Sequence, residues 1–163
     1  QLYSAGIVDK TGRMRDGTGV RMCDGEREFV IAEGDGDSSR GVVITQSDVR
    51  QLQLAKGAVR AGIRLLLATA GRSETDVERV IIAGAFGTYI NIPSAVAIGM
   101  LPALPLSSFE QVGNAAGMGA VATLVSRVKR QEAAELARRI RYVELGNSPD
   151  FPSTFVKATL LGH

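Results

Sequence analysis

One cysteine, one histidine and no tryptophan leave this 163-residue chain few chemical engines. The lone Cys23 excludes an internal disulfide and any cysteine-built metal or iron–sulfur cage within the chain, and it reads as a free loop thiol. The only histidine is the last residue, His163, where a tag remnant would sit, and it is set aside. A Ser-His-Asp or Cys-His nucleophile relay is therefore not on offer. Aromatics are 5% of the chain and the net charge is +2. Both figures argue against a base-stacking platform or a basic nucleic-acid surface. No apolar run approaches the roughly 18 residues a membrane span needs. Residues 2–8 are broken by Ser4 and Gly6, and no basic residue precedes them, so they do not form a secretory signal. Neither nucleic acid nor a membrane is expected as a partner.

What is present is a globular composition, 45% hydrophobic and 22% charged, long enough for one domain with a real core. The chain opens on Gln1 rather than Met and reads as part of something longer. Leu2–Val8 looks like the end of a helix, and Asp9–Gly25 like turns and a loop. Glu28–Ala32 and Val42–Thr45 are β-branched runs that suggest a hairpin with a long tip, "EGDGDSSRG". An EF-hand counted from Asp35 through Asp37 fails, because its sixth and twelfth positions hold Arg40 and Gln46 instead of Gly and Glu. "TQSD" from Thr45 is a capping box that opens a long helix to about Ala70, with Gly71 as its stop. Val49, Leu52, Ala55, Val59, Ile63 and Leu66 form its expected core face; Arg50, Gln53, Arg60 and Arg64 follow the same spacing on another. The arginines are expected in solvent. Further strands are expected at Val80–Ala83, Phe109–Val112 and Tyr142–Leu145. Helices are expected after Asn91, from Asn114 to about Arg130, over Gln131–Ile140 and over Pro152–Leu161. Strands alternating with helices predict an α/β domain with helices packed on a sheet.

Two glycine-rich corners follow predicted strands: "AGAFG" after Val80–Ala83 and "QVGNAAGMGA" after Phe109–Val112. Ligands of open α/β sheets bind outside the carboxyl ends of strands, and glycines there let main-chain N–H groups approach an anion or a flat ring. Neither corner is a P-loop, since the Gly-Lys-Ser/Thr ending is missing. At Gly84 and Gly87 ligand approach is the favoured reading, with a plain strand-to-helix turn beside it. At Gly117 and Gly119 close packing is favoured. Gln53 and Lys56, three apart on the long helix, can reach one object, and a solvated helix face is the competing reading.

Four blocks occur in order: "ITQSDVRQLQLAKGAVRAGI", "VIIAGAFGTYINIPSAVAIGMLP", "QVGNAAGMGA" and "DFPSTFV". Together they resemble the C-terminal actin-like ATPase region of the reductive activators of corrinoid proteins. Many relatives of these ferredoxin-type iron–sulfur proteins are described only as carrying a C-terminal domain of unknown function. The likeness spans about Glu28 to Phe155. It implies an α/β fold of the ribonuclease H-like, actin-like ATPase type, with a mixed sheet flanked by helices. Residues 1–27 would be a loop-rich leader and 28–163 the second lobe. It also implies a parent protein that binds ATP with Mg between two lobes. The parent's N-terminal ferredoxin domain, absent here, would hold a two-iron two-sulfur cluster. ATP would drive an uphill one-electron transfer from that cluster to the cobalt of a corrinoid protein in a methyltransferase system, in the cytoplasm.

By the same resemblance, Gly84, Ala85, Phe86 and Gly87 would form an adenosine shelf. Gln53 and Lys56 match helix positions that touch adenine or ribose, and Gly113–Ala120 resembles a hinge helix. Many superfamily members have Gly-Gly where this chain has Gly84-Ala85, which narrows the approach. The phosphate turns and metal-positioning carboxylate of such ATPases fall outside this chain, and "GIVDKTG" has the wrong order for the Asp-x-Gly-Thr signature. No catalytic or metal-binding residue is assigned. Asp9, Asp16 and Asp24 count as loop carboxylates, and the chain alone is expected not to hydrolyse ATP. Two alternatives stay open. One is the lobe of another actin-like kinase or dehydratase activator. The other is a docking or homodimerisation module that buries the small-residue helix and Met100–Leu106.

Overall fold

The computed structural model describes residues 1–34 and 41–163. The rejected EF-hand positions Asp35, Asp37 and Arg40 lie outside the described residues. Strands β1 (Val20–Cys23), β2 (Glu26–Ala32) and β3 (Val42–Thr45) form an antiparallel sheet in that order. β1 lies in the segment read from sequence as turns. Its hairpin to β2 turns on Asp24 and Gly25, with φ of 49° and 81°. Two left-handed residues in a row make the tight turn whose twist matches the flanking strands. Residues 1–7 are turns rather than a helix end, and Val8 bridges Met14 instead.

α1 (Gln46–Thr69) opens with the expected reciprocal cap. The Thr45 hydroxyl accepts from the Asp48 N–H at 3.1 Å, and the Asp48 carboxylate accepts from the Thr45 N–H at 2.8 Å. Gly71, φ 65°, follows its last turn. β4 (Val80–Ala83) pairs in parallel with β5 (Phe109–Gly113) as a separate two-stranded sheet. Between them α2 (Ile92–Ala97) is capped by the Asn91 side chain, which accepts from the Ser94 N–H at 2.9 Å.

Two expectations beyond β5 fail. The helix from Asn114 does not reach Arg130. α3 (Ala115–Val125) stops at Ser126, which is extended (φ −132°, ψ 120°) and uses its hydroxyl to cap a new helix, α4 (Arg127–Arg139). Serine competes for backbone partners in this way, which favours it at caps over helix interiors. Tyr142–Leu145 is not a strand, and a single 3₁₀ turn, Leu145–Asn147, forms at its end. α5 (Phe151–Thr159) ends the fold.

The core gathers Val8, Met14, Val49 and Leu161, with Leu2, Tyr3, Ile7, Val20, Phe29, Ile44 and Ile98 packed around them. It is thus built from the first residues, the antiparallel sheet, α1 and the end of the chain. α1 is rotated from its expected orientation. Its buried residues are Val49, Gln53, Lys56, Gly57, Arg60, Ala61 and Leu65, whereas Leu52, Val59 and Leu66 are exposed. The cause is α5, which lies along α1. A Cβ at Gly57 would come within 3.0 Å of Thr159 Cγ2, so the helices meet where α1 has no side chain. The carbonyls at the end of α5 then take up the donors of Gln53 and Lys56.

The other half is open. α3 is apolar yet has no buried residue, and Leu124 and Val125 are 76% and 77% exposed. Parallel strands are usually covered on both faces, but Ile81 of β4 is exposed. The chain's accessible surface is 11285 Å² for 17.2 kDa, against about 7,800 Å² for a compact monomer of that mass.

Candidate functional site

The two glycine-rich corners meet. β4 and β5 run parallel, so their carboxyl ends lie side by side, and the Gly84 N–H donates to the Gly113 carbonyl at 2.7 Å. Gln111 of β5 locks the following turn, its amide donating to the carbonyls of Gly87 at 2.5 Å and Ile90 at 3.0 Å. This is the end of a parallel sheet at which ligands of α/β folds settle.

The two glycines of "GAFG" are there for different reasons. Gly84 has φ 109°, a conformation L side chains rarely adopt, and a Cβ built on it would meet nothing within 4 Å. The space above residue 84 is open. Gly87 is buried, and a Cβ there would sit 2.9 Å from Ile82 Cγ2, so it lets the turn pack on β4. Between them Ala85 is exposed and right-handed (φ −58°, ψ −42°), and Phe86 stands 88% exposed. Among the described residues the N–H groups of Ala85 and Phe86 have no acceptor.

Gln53 and Lys56 lie elsewhere. The Gln53 amide donates to the carbonyls of Thr11 and Thr159, both at 3.0 Å, and lies across Gly12, where a Cβ would fall 1.9 Å from its Oε1. Lys56 is 1% exposed and donates to the Leu160 carbonyl. Burial lowers its ammonium pKa to about 8, and the nearby cations Arg60 and Arg64 add to the effect. For either side chain to meet a nucleotide, the α1–α5 contact must open. A cavity of about 550 Å³ includes Gln53 and one of about 140 Å³ includes Lys56; residues 84–87 line neither.

Arg60, expected in solvent, is 2% exposed. Its Nη2 donates to Glu74 at 2.6 Å, and the same carboxylate receives Arg64 Nε at 3.4 Å. The signal was the helical spacing Gln53, Lys56, Arg60: three long polar side chains on one stripe, which here is the buried one. Asp9 staples the loop after Val8, its Oδ1 accepting from the Thr11 N–H at 2.9 Å and the Thr11 hydroxyl at 2.6 Å. These bonds, the hydroxyl's first, hold its pKa below the usual carboxylate value. Asp16 pairs with Arg27 at 2.9 Å.

The α/β fold, with its glycine-rich turn at the carboxyl end of a parallel pair, is of the actin-like (ASKHA) class. The chain belongs to the family described as the C-terminal domain of RACo, the ASKHA domain, which matches residues 1–163. It is 31% identical over 172 residues to the corrinoid activation enzyme RamQ of Eubacterium limosum, covering 99% of this chain and 29% of that protein. It is 28% identical over 100 residues to a [Co(II) methylated amine-specific corrinoid protein] reductase of Methanosarcina barkeri, covering 61% and 18% respectively. A solved reductive activator for corrinoid, iron–sulfur protein superposes with TM-score 0.87 at 37% identity, over 99% of this chain and 26% of that one. The chain therefore spans less than a third of each relative. Its family places it as a C-terminal, actin-like (ASKHA) domain.

The cofactors implied for the parent fit unequally. The open backbone at Gly84 suits a flat ring. A thiolate-held cluster does not fit this chain, whose one cysteine is Cys23. Among the described residues no three His, Cys, Asp or Glu side chains gather around a common point. Among them, too, no helix is long and apolar enough to cross a membrane.

Proposed function

We propose that this chain is the nucleotide-binding lobe of an ATP-dependent, cytoplasmic reductive activator. In that reading the parent passes one electron from a two-iron two-sulfur cluster, held in another domain, to the cobalt of a corrinoid protein in a methyltransferase system. ATP with Mg supplies the drive. This lobe offers the adenosine a floor at Gly84, Ala85 and Phe86, with Gly87 seating the turn on β4, while Gln53 and Lys56 join α1 to α5. The remainder of the parent supplies the phosphate turns and the metal-holding carboxylate. The observation that carries the reading is Gly84 itself: left-handed, unobstructed, and hydrogen-bonded to Gly113 at the carboxyl end of a parallel pair. The surface left uncovered by α3 and β4 supports a lobe completed by the rest of its own protein.

Titrating the full-length polypeptide with a non-hydrolysable ATP analogue tests this. Ala85→Gln and Phe86→Ser alter exposed positions and leave the Gly84 backbone unstrained. Affinity should fall tenfold or more in the first and several-fold in the second, at unchanged melting temperature. Unchanged affinity in both reduces the corner to a packing turn. The exposed apolar side chains of α3 favour a second reading, a docking or homodimerisation surface without nucleotide affinity. Light scattering that finds a dimer, together with no analogue binding, would select it.

A further inference from the structure

The cavity beside Lys56 belongs to neither the core nor the glycine shelf. It occupies about 140 Å³ between the Lys10 turn, α1 and the end of α5. Five cations line it, Lys10, Lys56, Arg60, Arg64 and Lys157, and no Asp or Glu is among the lining residues. Among the described residues Glu74 is the one Asp or Glu paired with any of them, shared by Arg60 and Arg64, and Lys10 Nζ donates to the His163 carbonyl at 3.4 Å.

Arg60 is the telling residue. Its guanidinium is buried, and Glu74 occupies only Nη2. Among the described residues Nε and Nη1 are buried without an acceptor. A dry, ionised donor left unpaired is costly, more so than a neutral one. Nε–H and Nη1 point to different edges of the rigid guanidinium, so each offers a separate donor to an oxyanion oxygen rather than a two-pronged grip. Lys56 sits in the same wall with one of its three donors spent on Leu160. The exposed heads of Arg64 and Lys157 stand at the rim. The volume is well under the roughly 300 Å³ where ligand pockets for drug-sized molecules begin. It admits one tetrahedral group but not a nucleoside.

We propose that this cavity is a binding site for a phosphate-type oxyanion, with Arg60 and Lys56 as its floor and Arg64, Lys157 and Lys10 as its rim. The group is free phosphate or the terminal phosphate of a larger molecule whose body stays outside. Burial first, and the charges of Arg60 and Arg64 after it, depress the Lys56 pKa in this wall. No residue of the Gly84 shelf lines this cavity, although Lys56, which the family resemblance sets near adenine or ribose, does.

The test uses the full-length polypeptide and inorganic phosphate, with chloride holding ionic strength constant. Calorimetric titration should show saturable binding with a matching rise in melting temperature. The paired change Arg64→Gln and Lys157→Gln, confined to the rim, should lower affinity roughly tenfold or more, as expected for losing charge-assisted bonds. Arg60→Gln should abolish binding, and if it does not fold, the rim pair still decides. No effect of phosphate beyond chloride, or equal binding by the rim variant, overturns the proposal. Competition with ADP names the source. Mutual exclusion assigns the site to a nucleotide phosphate, and simultaneous binding assigns it to free phosphate. Phosphate binding in a protein that ignores the ATP analogue would keep this site and sink the shelf; the reverse would do the opposite.

Discussion

Lys56→Met isolates the energetic role of the most buried cation on α1. In the folded chain the Lys56 ammonium has a pKa of about 8, against 10.5 for an unperturbed lysine. Between these values the unfolded chain holds a proton that the folded chain has released. Unfolding therefore becomes less favourable as pH rises, so stability increases through this window. The full difference corresponds to about 3 kcal/mol. Methionine has a similar stem and no charge, so it removes this gain. At neutral pH two effects oppose. The variant escapes the cost of a buried ammonium but leaves the Leu160 carbonyl without its donor, a loss of about 1–3 kcal/mol. The two proteins should therefore be close in stability at pH 7 and diverge steadily toward pH 10, with wild type the more stable. Urea midpoints of both proteins at half-unit pH steps, in phosphate-free buffer, give the difference directly and cancel titrations they share. Parallel profiles would refute the claim that burial lowers the Lys56 pKa.

Two further outcomes follow from the same face of α1. Glu74→Gln should cost about 3 kcal/mol, because it leaves the Arg60 guanidinium buried without its carboxylate, and denaturant titration reads it. Gly12→Ala should cost about 2–3 kcal/mol, since φ is 82° there and the new methyl must displace the Gln53 amide. Thermal unfolding should show the loss, and Gln53→Ala in the same chain should recover part of it.

Elements governed by nearby residues were legible in the sequence. The Thr45–Asp48 box, the Asn91 and Asn114 caps, and the strands before both glycine corners all fall where local chemistry puts them. β1 was missed although Asp24-Gly25 is a strong hairpin signal, because its neighbourhood is rich in Gly, Asp and Arg. The break at Ser126 hid within a run of good helix formers. The orientation of α1 could not be read. Its apolar stripe is the better core face by periodicity, and only the arrival of α5, with free carbonyls and the close contact at Gly57, turns the polar stripe inward. The family blocks exposed the Gly84 corner. The Arg60 cavity needed coordinates, because Lys10 and Lys157 come to it from opposite ends of the chain.

Those ends are stitched together. Tyr3 Oη donates to the Leu161 carbonyl at 3.3 Å, and the Leu161 N–H donates to the Lys10 carbonyl at 2.8 Å. Any polypeptide joined before Gln1 and any joined after His163 would depart from one neighbourhood. The segment thus resembles a bead held at a single knot. A short linker across the knot should yield a permuted chain that still folds, with the new opening cut at the Asp24–Gly25 turn.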